Sequence, residues 1–322
     1  MELFHGVNVD WLGKKWYFLS FSLIFSVAGV ISMCLHFGQI GSPVPLGVDF
    51  RGGTQIQAQF QQAPDTNRIR QAMDAAGIKD ARIQNYDVPS NNEVLISLPE
   101  QSDETHLDAD RTQIVDALQA HYANPVILPL RNVQVVGPTV GKQLEKQAVL
   151  ATLYSMLGML VYLWFRFQLI YGVAAVVACF HDTLITVGAF ALTNQEISLT
   201  VIAAILTLVG YSMNDTIVVF DRIRENLRLS RREALPDVVN RSINQTLSRT
   251  VLTSGLTFLT VLSLYIFGGQ VLRGFSFALV VGILIGTYSS IAVAAPMLVA
   301  WQEWRARQGK AAALPAAKRS RI

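Results

Sequence analysis

The chain has 322 residues, of which 51% are hydrophobic and only 15% charged, and its net charge is +3. A mean hydropathy of +0.36 excludes an ordinary soluble domain and points to a chain that crosses a membrane several times. Its basic residues gather at particular span ends, the positive-inside pattern, so the charge balance gives no reason to expect a nucleic-acid partner. Cys34 and Cys179 both fall inside apolar runs, and neither a disulfide, a metal site nor a cofactor is expected.

Residues 16–37 form the first predicted span, with Trp16-Tyr17-Phe18 at one interface. Lys14 and Lys15 precede it and place residues 1–15 in the cytoplasm. No small-x-small cleavage site follows, so the run reads as an uncleaved signal anchor. Residues 38–141 differ in kind, with acids outnumbering bases, and are expected to form a soluble domain on the far side of the membrane. Alternation predicts strands at 54–60, 82–88, 94–98 and 133–136, and helices at 66–76 and 109–122. The order β-α-β-β-α-β predicts an α+β, ferredoxin-like sandwich inserted between the first two membrane helices.

Residues 142–302 hold five further predicted spans, at 148–165, 169–192, 197–220, 250–267 and 274–300. The whole is therefore read as a polytopic α-helical membrane protein with six spans. Arg166, the hydrophilic loop 222–248 and the basic tail 303–322 fall on the side of the N-terminus, so both termini are expected in the cytoplasm. The alanine-rich end of that tail reads as disordered. The last span carries Gly282, Gly286, Ser290 and Ala294, a close-packing ladder suited to a partner subunit, and Pro296 is expected to kink it.

The central span breaks the apolar rule with Asn214-Asp215, and an ionised carboxylate in hydrocarbon costs at least ~2.5 kcal/mol. Thr200, Thr207, Tyr211, Asn214 and Asp215 fall at helical spacing and form a polar stripe expected to face other helices. Counted from Glu196, Asp215 lies about 28 Å from the outer surface, and Arg249 reaches the same depth counted back from Gly268. Arg249 heads its own row with Thr253, Thr257 and Thr260, so the two rows are expected to face each other. Burial penalises a charged carboxylate and a guanidinium favours it, so the pair suits either proton handling or a permanent salt bridge.

His181-Asp182 in the preceding span is a second candidate station, or an interhelical hydrogen bond. By the same rise Asp182 and Asp215 differ by about 10 Å in depth, too far for a shared-proton aspartyl protease dyad. No enzyme is therefore expected. The stretch Gly47-Val48-Asp49-Phe50-Arg51-Gly52-Gly53 suits a tight turn leading into a strand, with a structural role.

That stretch, together with Val136-Gly137-Pro138-Thr139-Val140-Gly141, Tyr162-Leu163-Trp164-Phe165-Arg166-Phe167 and the run from Gly210-Tyr211-Ser212-Met213-Asn214-Asp215 to Asn226, resembles the SecD/SecF family of Sec translocase accessory subunits, within the RND superfamily. Gln245-Thr246-Leu247-Ser248-Arg249-Thr250 and Phe267-Gly268-Gly269 are similar to the family as well. The resemblance implies six helices of RND type in the bacterial inner membrane and a SecD partner with six pseudo-symmetric spans. It also implies association with the SecYEG channel and YajC, an unfolded preprotein as cargo, and use of the proton-motive force to drive export. On that resemblance Asp215 and Arg249 carry the proton. Two rival readings remain: half of another RND-type proton-coupled transporter, and a scaffold of the channel that transports nothing.

Overall fold

The computed structural model describes residues 8–78, 81–86, 91–98, 107–167, 169–229 and 233–308. The expected strand end at 87–88, the Pro89-Ser90 half of the turn, Arg231-Arg232 and the basic tail beyond Gln308 lie outside these residues.

Helix α1 (Lys15–Ile40) leads to a single helical turn, α2 (Val48–Arg51), and then to β1 (Gly53–Phe60). Gly52 and Gly53 have φ of 76° and 118°, so the reversal between α2 and β1 needs residues without a Cβ. The outer domain continues through α3 (Thr66–Ala75), β2 (Arg82–Tyr86), β3 (Glu93–Leu98), α4 (Leu107–His121) and β4 (Val126–Val136). Its four strands are antiparallel in the order β2-β3-β1-β4, the ferredoxin-like arrangement expected. Alternate residues of β1, Ile56, Ala58 and Phe60, join Ile96 of β3 with Ile69 and Met73 of α3 and Ile114 and Leu118 of α4 in one core. Asp65 caps α3 by accepting from the amides of Asn67 and Arg68. Strand β4 begins at Val126, seven residues before the expected start, and absorbs an irregularity opposite Gln57–Gln59. Pro129 hides it from a pattern reading, because β4 is an edge strand and such strands tolerate proline.

The remaining spans are α5 (Pro138–Arg166), α6 (Leu169–Thr193), α7 (Leu199–Leu229), α8 (Leu235–Phe267) and a last helix built from α9 (Gly269–Ser289) and α10 (Ala295–Arg307). With α1 they make six helices long and apolar enough to cross a membrane. Helices α6, α7 and α9–α10 form the buried centre, while α1, α5 and α8 keep most of their apolar surface open. Both α7 and α8 run well past the predicted spans, α7 to Leu229 and α8 from Leu235. Between α9 and α10, Ser290–Ala294 widens into a π turn directly before Pro296. Proline has no N–H and its ring crowds the carbonyl four residues back, here Ala292, so the helix loosens by one residue there.

The small-residue ladder packs within this chain instead of awaiting a partner subunit. A Cβ on Gly286 would stand 3.1 Å from the Ser212 Cβ of α7, and Ser290 and Ala294 are buried. That close approach of α9 to α7 builds the polar centre of the molecule.

Candidate functional site

Asp215 sits on α7 and is 2% exposed. Its Oδ2 accepts from Ser254 Oγ of α8 at 2.6 Å and, more distantly, from Thr287 Oγ1 of α9 at 3.5 Å. The first bond is in the short range typical of a hydroxyl on a carboxylate. Asp182, on α6, is fully buried. Its Oδ2 accepts from Ser212 Oγ of α7 at 2.6 Å and Ser289 Oγ of α9 at 2.7 Å. Its Oδ1 meets His181 Nδ1 at 2.9 Å, and His181 Nε2 is bonded in turn to Ser22 Oγ of α1. Two carboxyls are thus held in the helix bundle almost wholly by hydroxyls among the described residues, with His181 bonded to Asp182.

The two acids are closer in depth than residue counting suggested. Ser212 marks the level of Asp182 and lies three residues, about 4.5 Å of helix rise, from Asp215. Counting residues along each span treats every helix as straight and upright, which tilted, packed helices are not.

The expected contact between Asp215 and Arg249 is absent: among the described residues Arg249 makes no ion pair with it, and its side chain is exposed on α8. Ser254 takes that position. It stands five residues beyond Arg249, about 7.5 Å along the axis and well over a third of a turn around it. Residue counting gives a depth, but depth says nothing about which way a side chain points. The row Thr253, Thr257 and Thr260 follows Arg249 outward and does not meet Asp215; each threonine donates to a carbonyl of its own helix.

The polar stripe of α7 also divides. Thr200, Thr207 and Asn214, seven residues apart, lie on the open side of the chain, whereas Asp215 turns inward. Tyr211 is half-buried, and its hydroxyl has no partner among the described residues. The residues missed on sequence are the hydroxyl donors Ser212, Ser254, Thr287 and Ser289. A usable signal existed for one of them, since Ser242, Thr246, Thr250 and Ser254 recur at intervals of four.

At the cytoplasm-expected end, Asn226 of α7 donates to Ser242 Oγ at 2.8 Å and to Gln245 Oε1 at 2.7 Å. Arg222 donates to the same Gln245 oxygen at 2.7 Å and to Glu225 at 2.7 Å. The polar end of the central motif thus ties α7 to α8.

At the opposite end, the Gly47–Gly53 turn is a joint between the outer domain and α7. Gly47 N donates to Ile197 O at 2.9 Å, and Ile197 N donates to Pro45 O at 2.8 Å. Asp49 Oδ2 accepts from Leu199 N at 2.8 Å and caps the first turn of α7. Arg51 is exposed beside this joint. From the edge strand β2, Arg82 pairs with Glu196 at 3.0 Å and Gln84 donates to the same carboxyl oxygen at 3.2 Å. Burial pushes the Glu196 carboxyl above the usual carboxylate range, against the opposing pull of the Arg82 and Arg51 guanidiniums.

Residues 118–304 match the family described as Protein export membrane protein SecD/SecF, C-terminal, and residues 39–64 match the SecD/SecF GG motif. A protein translocase subunit SecF from Koribacter versatilis is 56% identical, the match covering 97% of this chain and 96% of that one. Another from Calditerrivibrio nitroreducens is 43% identical, covering 93% and 96%. Among solved structures, SecDF of Thermus thermophilus, a translocon-associated membrane protein, superposes with a TM-score of 0.78 at 37% identity. The match covers 92% of this chain but 39% of that longer one, so the chain spans about two fifths of SecDF. With its GG turn, its six helices and its buried acids in place, the chain belongs to the SecD/SecF family of protein-export membrane proteins, on the SecF side.

Proposed function

We propose that this chain is a SecF-type accessory subunit of Sec protein export, and that Asp215 is where it takes up the proton-motive force. One observation carries the reading: a carboxyl 2% exposed within a membrane span, held by two hydroxyls and by no cation among the described residues. A fixed guanidinium would lock the charge in place. A hydroxyl can donate to a carboxylate and, after rotating, accept from a carboxylic acid, so both protonation states can be satisfied. A proton carrier needs that property, and a bolt between helices does not. Asp182 with His181 forms a second station on the same bundle.

The open side of α7 and α8 supplies the partner. Thr200, Thr207 and Asn214 of α7, and Arg249, Thr253 and Thr260 of α8, are all exposed in the isolated chain. A guanidinium at the inner end of a span, level with a buried acid, is better satisfied by a polar partner than by lipid. This side therefore packs against a SecD-type half, and the part of Arg249 in proton transfer is played at that interface. Charge bias sets both termini in the cytoplasm of an inner-membrane protein, with residues 38–141 as the periplasmic domain. There the domain is placed to act on a preprotein leaving a SecYEG-type channel, with YajC in the same assembly.

The test is preprotein export into vesicles carrying the assembled complex, with and without a proton gradient. Asp215→Asn abolishes the gradient-dependent part of export. Equal responses of the variant and the native chain would remove Asp215 from the coupling.

A further inference from the structure

Helix α8 carries Ser242, Thr246, Thr250 and Ser254 at intervals of four, on one face, and all four are buried. Ser254 ends the row on Asp215, and Ser242 ends it at Asn226, close to the cytoplasmic mouth. Between these anchors α7 advances eleven residues and α8 twelve, about 17 and 18 Å, so the row follows the seam between the two helices for its whole length. Across the seam, α7 offers buried apolar side chains such as Val219 and Ile223 between its polar contacts at Asp215 and at Arg222 and Asn226.

Three of the four hydroxyls have a partner. Ser242 donates to Val238 O, Thr246 to the carbonyls of Ser242 and Ile243, and Ser254 to Asp215. Among the described residues Thr250 has none, although it is only 2% exposed. A helical threonine normally satisfies itself on the carbonyl four residues back, as Thr246, Thr253, Thr257 and Thr260 all do on this helix. The Thr250 hydroxyl is turned away from that bond, at a cost that packing alone gives no reason to bear.

We propose that Thr250 is a proton-relay residue, the hydroxyl that hands protons between Asp215–Ser254 and the cytoplasmic end of the α7–α8 seam. The proposal rests on the proton reading of Asp215. Thr250 lies one turn, about 6 Å, from Ser254. Two hydrogen bonds of about 2.8 Å through one water span that gap. Each oxygen then gives one proton and takes one: Ser254 passes its proton to Asp215 Oδ2, the water replaces it, Thr250 replaces that of the water, and the cytoplasmic side replaces that of Thr250. The carboxylate becomes a carboxylic acid, and no hydroxyl is left charged.

The experiment measures proton flux with a pH-sensitive dye in proteoliposomes holding this chain assembled with a SecD-type partner. Native protein is compared with Thr250→Val, Thr250→Ser and Asp215→Asn, and thermal melting is recorded for each. Thr250→Val keeps the shape and removes the hydroxyl. It is expected to slow flux about tenfold, the factor corresponding to one hydrogen bond of about 1.4 kcal/mol, with melting unchanged. Thr250→Ser restores the hydroxyl and brings flux back to within about twofold, which a role for the methyl group or bulk of Thr250 would not do. Loss of flux in Thr250→Val at unchanged melting separates transfer from a structural role of the hydroxyl. If Thr250→Val melts early, Thr250→Ala deletes the hydroxyl without placing a methyl group in its polar site. Native flux in the hydroxyl-free variants, with Asp215→Asn inactive, overturns the part given to Thr250 and leaves the proton reading of Asp215 standing. Native flux in Asp215→Asn overturns both.

Discussion

Helix α8 carries two rows of polar residues, and they have opposite fates. Ser242, Thr246, Thr250 and Ser254 are buried against the centre of the bundle and reach Asp215. Arg249, Thr253 and Thr260 lie on the open side, the threonines bonded back to their own helix. Both rows have helical spacing and similar composition, so what separates them is azimuth alone. The buried row has been given work inside this chain; the open row is left for whatever covers it.

The contrast is broken most severely at Ser254. Ser254→Leu forces a larger apolar side chain into the seam and strips Asp215 of its closest donor. Overpacking and a lost buried hydrogen bond together cost roughly 3 kcal/mol, and thermal melting in detergent is expected to fall by several degrees. A variant that melts like the native chain would show that the seam is looser than the 2.6 Å bond implies.

A smaller effect is expected at the rim, where Glu196 is a polar group neither wholly buried nor open. Its carboxyl is raised, chiefly by burial, so the docked joint binds a proton more readily than a joint in which Glu196 is exposed to water. Attachment of the outer domain to the start of α7 is therefore fully present below the ordinary carboxylate range and weakens as pH rises through the raised value. Hydrogen exchange at Gly47 and Ile197, corrected for intrinsic rates, is expected to show more opening as pH climbs through that window. Glu196→Gln, neutral at every pH, flattens the dependence; a slope that survives this substitution would assign it elsewhere.

The smallest effect belongs to the open row. Thr260→Leu in the isolated chain changes stability by less than about 0.5 kcal/mol, the usual range for a surface position. The same substitution weakens co-purification with a SecD-type partner, because the position then lies in an interface. An unchanged yield of complex would place the partner on another side of the bundle.

Much of this was legible in the residues. The apolar runs fixed the six spans, period-two alternation and turn residues fixed the order of the outer domain, and an acid in the middle of a span marked itself. Each of these is a property of a segment read along its own length. The boundaries were less legible: α7 and α8 extend as helices well beyond their hydrocarbon-spanning parts, because amphipathic turns continue a helix without adding hydropathy. The contact of Asp215 was not legible: Ser254 reaches it where Arg249 was expected, since counting residues gives a depth but not a direction.

Sequence by itself determined that this chain crosses the membrane six times, carries a ferredoxin-like domain, and buries acids that lipid would not tolerate. Only the tertiary structure decided that hydroxyls satisfy those acids, that the glycine ladder serves α7 of the same chain, and that the GG turn grips the start of the helix bearing Asp215. The reason is geometric. Periodicity along a helix defines its faces, but which face meets which neighbour depends on how all six helices pack at once.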